Sequence, residues 1–192
     1  MTHVGQRTVV VGTTGSGKTT VARQLAQRLG YPYVELDALF WGPNWTPVPF
    51  NVFRERTAQA LSGDAWTVGG NYSAARDIVW GRADTLVWLD YPLPLIMWQL
   101  FRRTIRRIVT REVLWSGNRE TFRGQFLSRD SLFVWALNSH ARYRRQYAAA
   151  LASPEYAHLA VVRLRSRRET REWLPLWSVW DADKVMSSGS SS

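Results

Sequence analysis

Short apolar, β-branched runs alternate along this chain with longer segments whose apolar residues recur every three or four positions. Residues 8–11 (T-V-V-V) form such a run and stop at Gly12, so a buried strand is expected there. From 18 to 29, Val21, Ala22, Leu25 and Leu29 fall at helical spacing, and Gly30 followed by Pro32 closes that helix. Further strands are expected at 33–36, 65–68, 85–89 and 160–164, and further helices at about 51–61, 93–111 and 131–152. On the 93–111 helix the stripe Leu95, Trp98, Phe101, Ile105, Ile108 is the face expected to be buried. Strands alternating with helices predict βαβ units, hence a parallel sheet inside a three-layer α/β/α sandwich. One domain is expected over 1–186. Residues 112–130 lack a clean period and are expected to form a loop or short lid; 187–192 (S-S-G-S-S-S) has the composition of a flexible tail.

The junction of the first strand and first helix changes this picture most. Gly12, Thr13, Thr14, Gly15, Ser16, Gly17, Lys18 and Thr19 match G-x-x-x-x-G-K-[ST], and Thr20 follows inside the helix. The chemistry explains the order. Glycines let backbone N–H groups turn inward around a phosphate, and the new helix points its positive end at the same anion. Lys18 can reach the outer phosphates and the Thr19 hydroxyl can ligate Mg²⁺. The expected cofactors are ATP and Mg²⁺, and the fold class is that of a P-loop NTPase.

Charge adds an asymmetry. The net charge is +10, with a sequence pI of about 10.8. Residues 1–101 carry 8 basic against 7 acidic side chains, and residues 102–192 carry 17 against 8. The second half therefore expects an anion, either nucleotide phosphates or nucleic acid. Nucleic acid is the less favoured partner, because the arginines interleave with apolar positions and no nucleic-acid motif is present. The chain has no cysteine, which excludes disulfides and thiolate metal sites, and no apolar run reaches the ~18 residues of a membrane span. A cytoplasmic location fits, and the oligomeric state is not legible.

On the acceptor side, Asp37 follows the second strand, at the carboxyl edge of the sheet where α/β proteins bind ligands. An acid there holds an acceptor hydroxyl or serves as its base, unless it merely caps a short helix. Glu35, two residues earlier, is a candidate to support Mg²⁺. Phe40, Trp41 and Trp45 either cover a ligand ring or pack on the helix near Phe53. Gly70, Asn71 and Tyr72 follow the third strand, with Arg76 one helical turn on, and complete the acceptor candidates. On 93–111, Arg102/Arg106 and Arg103/Arg107 are like-charged i,i+4 pairs, which need acids, water or a bound anion nearby. Arg142, Arg144 and Arg145 form a second cluster. His140 has no partner at ligand spacing and is expected to be structural. Arg163, Arg165, Arg167, Arg168 and Arg171 are expected to be a solvated rim.

The combination Leu36-Asp37-Ala-Leu39-Phe40-Trp41, Pro43-x-Trp45, Gly70-Asn71-Tyr72-Ser73 and Leu89-Asp90-Tyr91-Pro92 resembles one bacterial group. These are the adenylate-kinase-like P-loop proteins called DNA topology modulation proteins, related to nucleoside monophosphate kinases and shikimate kinase. The resemblance runs from about 9 to 173. It implies an ATP-dependent phosphotransferase acting on a small molecule, with a nucleoside monophosphate first and a hydroxylated metabolite second. It also implies that Arg103 and Arg107 clamp phosphates and that Arg144, with Arg142 behind it, stabilises the transferring group. Arg119, Arg123 and Arg129 in the lid stretch are weaker candidates. One departure stands out: the group usually has Asp where this chain has Gly69. The resemblance then leaves Glu35 or Asp90 to support Mg²⁺, or a weakened metal site.

Overall fold

The computed structural model describes residues 5–118 and 132–177. Five strands, β1 (Arg7–Gly12), β2 (Tyr33–Glu35), β3 (Trp66–Gly69), β4 (Thr85–Leu89) and β5 (Ala160–Leu164), form one sheet in the order β2-β3-β1-β4-β5. Every pairing is parallel. The helices are α1 (Lys18–Leu29), α2 (Leu36–Phe40), α3 (Phe50–Ala60), α4 (Arg76–Arg82), α5 (Leu93–Val109), α6 (Leu132–Leu151) and α7 (Arg167–Trp173). The α/β sandwich read from the alternation is the observed architecture. The lid stretch is described only to Asn118, so Arg119, Arg123, Arg129 and the 187–192 tail lie outside the described residues.

Alternation along β1 sends side chains to two cores. Val9 and Val11 pack with Phe53, Val68, Trp80, Trp88 and Tyr147 on the side of α3, α4 and α6. Val10 packs with Val21, Leu25, Val87 and Ile96 on the side of α1 and α5. A central strand buried on both faces needs the continuous β-branched run that residues 8–11 supply.

The caps follow local chemistry. Gly17 opens α1 at φ 90° and Gly30 closes it at φ 69°, where its N–H donates to the Ala26 carbonyl. Ser166 caps α7: its hydroxyl accepts from the Glu169 N–H at 3.1 Å, while the Glu169 carboxylate accepts from the Arg165 N–H at 2.8 Å. This S-x-x-E reciprocal box is a sequence signal that marks α7, which the periodicity missed.

The expected buried stripe of α5 is not the observed one. Ile96, Leu100 and Thr104 are buried, whereas Trp98 and Phe101 are 54 % and 43 % exposed and stack on each other. The reason is the phosphate loop. A Cβ on Gly15 would lie 3.0 Å from Leu100 Cβ and 3.1 Å from the Ile96 carbonyl oxygen, so α5 presses its slimmer face against loop backbone. Large aromatics do not fit that approach.

Candidate active site

The loop between β1 and α1 has the conformation its glycines permit. Gly12, Gly15 and Gly17 have φ of 152°, 88° and 90°. A Cβ on Gly12 would stand 2.7 Å from the Leu89 carbonyl oxygen, so this position excludes any side chain. Lys18 lies inside the ring of residues 12–17, its ammonium donating to the Thr13 carbonyl at 3.2 Å. Burial pulls its pKa down to about 8; the Asp37 carboxylate opposes this and Arg103 adds to it. Arg103 and Asp37 therefore both act on the lysine that would meet the outer phosphates.

Thr19 donates its hydroxyl proton to Glu35 Oε1 at 2.9 Å, which leaves the oxygen lone pairs for a cation. Glu35 is buried, and burial raises its pKa against the hydrogen bonds from Tyr33 and Thr19. Among the described residues no cluster of three or more His, Cys, Asp or Glu is present. A hydroxyl plus one nearby carboxylate suits Mg²⁺, which keeps waters and takes most of its other ligands from phosphates. The arrangement thus fits the ion, with Thr19 as direct ligand and Glu35 behind it.

Asp37 sits in the first turn of α2, directly after β2. The Tyr72 hydroxyl donates to its Oδ1, and the Trp41 side chain hydrogen-bonds the same hydroxyl. Burial, then the Asp37 charge, raises the Tyr72 pKa and keeps it a donor. A pocket beside this pair is lined by Leu36, Gly70, Tyr72, Arg76, Trp80 and Tyr147. Gly70 is required there: at φ 154°, a Cβ would lie 2.7 Å from that of Leu36. Arg76 stacks over Trp80 at 5.1 Å. The Tyr147 hydroxyl is buried with no hydrogen-bond partner in the structure. It comes from α6, far away in the chain, and sequence reading missed it.

Asn71 lines the same pocket and also holds the phosphate loop. Its amide oxygen accepts from the Gly12 N–H at 3.2 Å and its amide nitrogen donates to the Gly12 carbonyl, pinning the β3 turn to the phosphate loop. The three aromatics after Asp37 pack rather than stand open. Phe40 meets Phe53 and Tyr72, Trp41 meets Phe40 and Trp45, and Trp45 meets Trp115. Asn118 and Ser116 add hydrogen bonds to the Trp41–Trp45 backbone, so the start of the lid stretch is tied to this wall.

The arginines divide by their partners. Arg144 Nε lies 2.9 Å from Asp90 Oδ1, and Arg163 donates to Asp90 Oδ2 at 2.6 Å while stacking 4.3 Å over Trp88. Arg163 is exposed, as a solvated rim requires, and turns its guanidinium to the buried Asp90 at the end of β4. Asp90 is thereby occupied by arginines, and Glu35 is the acid beside Thr19. Arg107 and Arg106 both reach Glu112, at 3.5 and 3.2 Å. Arg142 is not brought to the cleft: it is exposed and lies over Trp135 and Tyr143, because its position on α6 faces away from the pocket that Tyr147 lines. His140 does reach the site, its Nδ1 3.1 Å from the Thr13 hydroxyl in a buried contact that joins α6 to the phosphate loop.

Known proteins match this geometry in part. Residues 14–61 match the shikimate kinase family model, a span running from the phosphate loop through Asp37 to the end of α3. The chain is 28 % identical over 134 residues to a shikimate kinase of Synechococcus elongatus, covering 59 % of this chain and 70 % of that protein. It is 35 % identical over 103 residues to a shikimate kinase of Gloeobacter violaceus, covering 46 % and 58 %. Its fold is shared with shikimate kinase from Acinetobacter baumannii in complex with shikimate, at a TM-score of 0.50 and 18 % identity over 96 % of this chain and 94 % of that one. The family model and these relatives are shikimate kinases, and the chain has the α/β fold of P-loop kinases.

Proposed function

We propose that this protein is an ATP- and Mg²⁺-dependent small-molecule kinase whose acceptor is shikimate or a similar hydroxylated carboxylate. The likeness to shikimate kinases supports a hydroxylated metabolite ahead of the nucleoside monophosphate expected from the sequence. The observation that carries the reading is the Tyr72–Asp37 pair at the carboxyl edge of β2, whose charge acts on Lys18 of the phosphate loop.

In this reading Lys18 and the loop amides hold the nucleotide phosphates, and Mg²⁺ bound at Thr19 neutralises phosphate charge. Tyr72 occupies one oxygen of Asp37, and the other accepts the acceptor hydroxyl proton. The acceptor's own hydroxyl oxygen attacks the γ-phosphorus as its proton passes to Asp37, the bond from that phosphorus to the bridging oxygen breaks to leave ADP, and the proton rests on Asp37 until solvent takes it. Arg103 and Arg144 supply positive charge to the peripheral phosphoryl oxygens. Arg107 is a further phosphate contact, available once it leaves Glu112. Arg76 and the Tyr147 hydroxyl face a polar or anionic group of the acceptor in the pocket, where an unpartnered donor gains most from a ligand.

The high pI supports a second reading, nucleic-acid binding, less well. Arg106, Arg107, Arg144, Arg163 and Arg168 each pair with an acid of this chain. ADP release from Mg²⁺–ATP decides between acceptors: stimulation by shikimate, lost in Asp37→Asn, is expected. Stimulation by a nucleoside monophosphate instead, or equal rates with and without every acceptor, would sink the proposal.

A further inference from the structure

Tyr33 and Glu35 lie two residues apart on β2 and so project from the same face of the sheet, the one covered by α1. The Tyr33 hydroxyl donates to Glu35 Oε2 at 2.6 Å, while Thr19 donates to Oε1 at 2.9 Å. Both oxygens of one buried carboxylate are thus held by neutral donors. Arg23 stands 3.5 Å from Oε2 and 5.2 Å over the Tyr33 ring.

Directly across the ladder from Glu35 is Gly69. Its backbone does not require glycine, since its φ lies outside the left-handed region. The tight neighbour is Tyr33: a Cβ at 69 would lie 3.3 Å from its hydroxyl oxygen, close enough that the hydroxyl must give by a few tenths of an ångström, while the ring at 3.8 Å and Ala22 Cβ at 3.5 Å are at ordinary contact. The site where a residue-69 side chain would enter is taken by the end of Tyr33.

We infer that Tyr33 is a positioning residue for the cation site: its hydroxyl holds Glu35 against Thr19, and residue 69 is glycine to admit it. The inference rests on the reading of Thr19 and Glu35 as the Mg²⁺ site. A charged Glu35 accepts from Thr19, so the Thr19 lone pairs point away from it and toward a cation. Tyr33 on Oε2 and Thr19 on Oε1 fix the carboxylate at both oxygens, so its place beside Thr19 depends on the Tyr33 hydroxyl. This turns the departure at residue 69 from a loss into a different construction, in which the acid is supplied by β2 and braced by its own strand.

The test is the gain in ADP affinity on adding Mg²⁺, measured by calorimetry against ADP in chelator, with no acceptor present. Tyr33→Phe keeps the ring packing and is expected to cut that gain roughly fivefold, the value of one hydrogen bond, with ADP affinity in chelator unchanged. Gly69→Ala should cause a similar loss in the wild type by pushing the hydroxyl off Glu35, and add little in Tyr33→Phe. An unchanged Mg²⁺ gain in Tyr33→Phe would overturn the inference, as would equal Gly69→Ala effects in both backgrounds. Glu35→Gln separates the two levels. If it abolishes the gain while Tyr33→Phe is silent, only the role of Tyr33 falls; if Glu35→Gln is silent, the metal reading falls and takes this inference with it.

Discussion

The phosphate loop and the arginine-rich second half both hold positive charge for an anion, but they are built differently. The loop is local: eight consecutive residues contain the glycines, the lysine and the hydroxyl, and φ values of 88° and 90° at Gly15 and Gly17 follow from the absence of a Cβ. The arginine region is assembled from distant parts. Asp90 at the end of β4 collects Arg144 from α6 and Arg163 from β5, 54 and 73 residues away. A site made of neighbours is specified by residue type and spacing. A site made of remote partners is specified by which acid the fold brings near, and arginines of identical type acquire different roles.

The largest expected effect lies in the loop. Lys18→Ala should lower phosphotransfer roughly a thousandfold, the scale of removing one group that stabilises transition-state charge, while the unfolding midpoint stays the same or rises. A turnover near wild type would show that the loop is not the catalytic cradle. Next comes Asp90→Ala, which leaves Arg144 and Arg163 without their buried counter-charge. Because both arginines are partly exposed, a loss of about 2 kcal/mol in denaturant titration is expected, below the full value for a buried pair. A loss near zero would erase the distinction between Asp90 and an ordinary surface acid.

The lysine also sharpens the comparison through pH. With a pKa of about 8 in the free protein, Lys18 is charged below that value and neutral above it. Nucleotide phosphates favour the charged form, so above pH 8 binding requires proton uptake. ADP affinity should therefore fall on raising the pH from 8 to 9.5, by at most about tenfold per unit, and Lys18→Met should flatten the curve. Smallest is Arg168→Ala. Its i,i+4 partner Glu172 is 2.7 Å away, but both are strongly exposed, so thermal or chemical unfolding should change by less than about 0.5 kcal/mol.

Helix α5 shows where a one-dimensional pattern misleads. Leu95, Trp98, Phe101, Ile105 and Ile108 make the greasier stripe, yet Ile96, Leu100 and Thr104 are the residues buried. Hydrophobic periodicity says that a helix has an inward face; it does not say that the surface to be met is glycine-rich backbone, where only slim side chains fit. Tyr147 makes the same point in the other direction. It lies in an Ala- and Arg-rich stretch with no motif, and only the packing of α6 against Trp80 and Trp88 brings it to the pocket beside Tyr72. His140 likewise gains its contact with Thr13 across 127 residues.

The order of the strands and of the longer helices α1, α3, α5 and α6, the phosphate loop and the position of Asp37 were legible along the chain. Each depends on interactions within a dozen residues: side-chain alternation, helical spacing, glycine conformations and the step from a strand to its following turn. Pairing was not legible. Which arginine meets Asp90, which aromatic covers Asp37, why Gly69 has no side chain and which face of α5 turns inward depend on contacts between elements 30 to 130 residues apart. Those contacts are decided by shape and charge at close range, quantities that exist only once the sheet has set its neighbours.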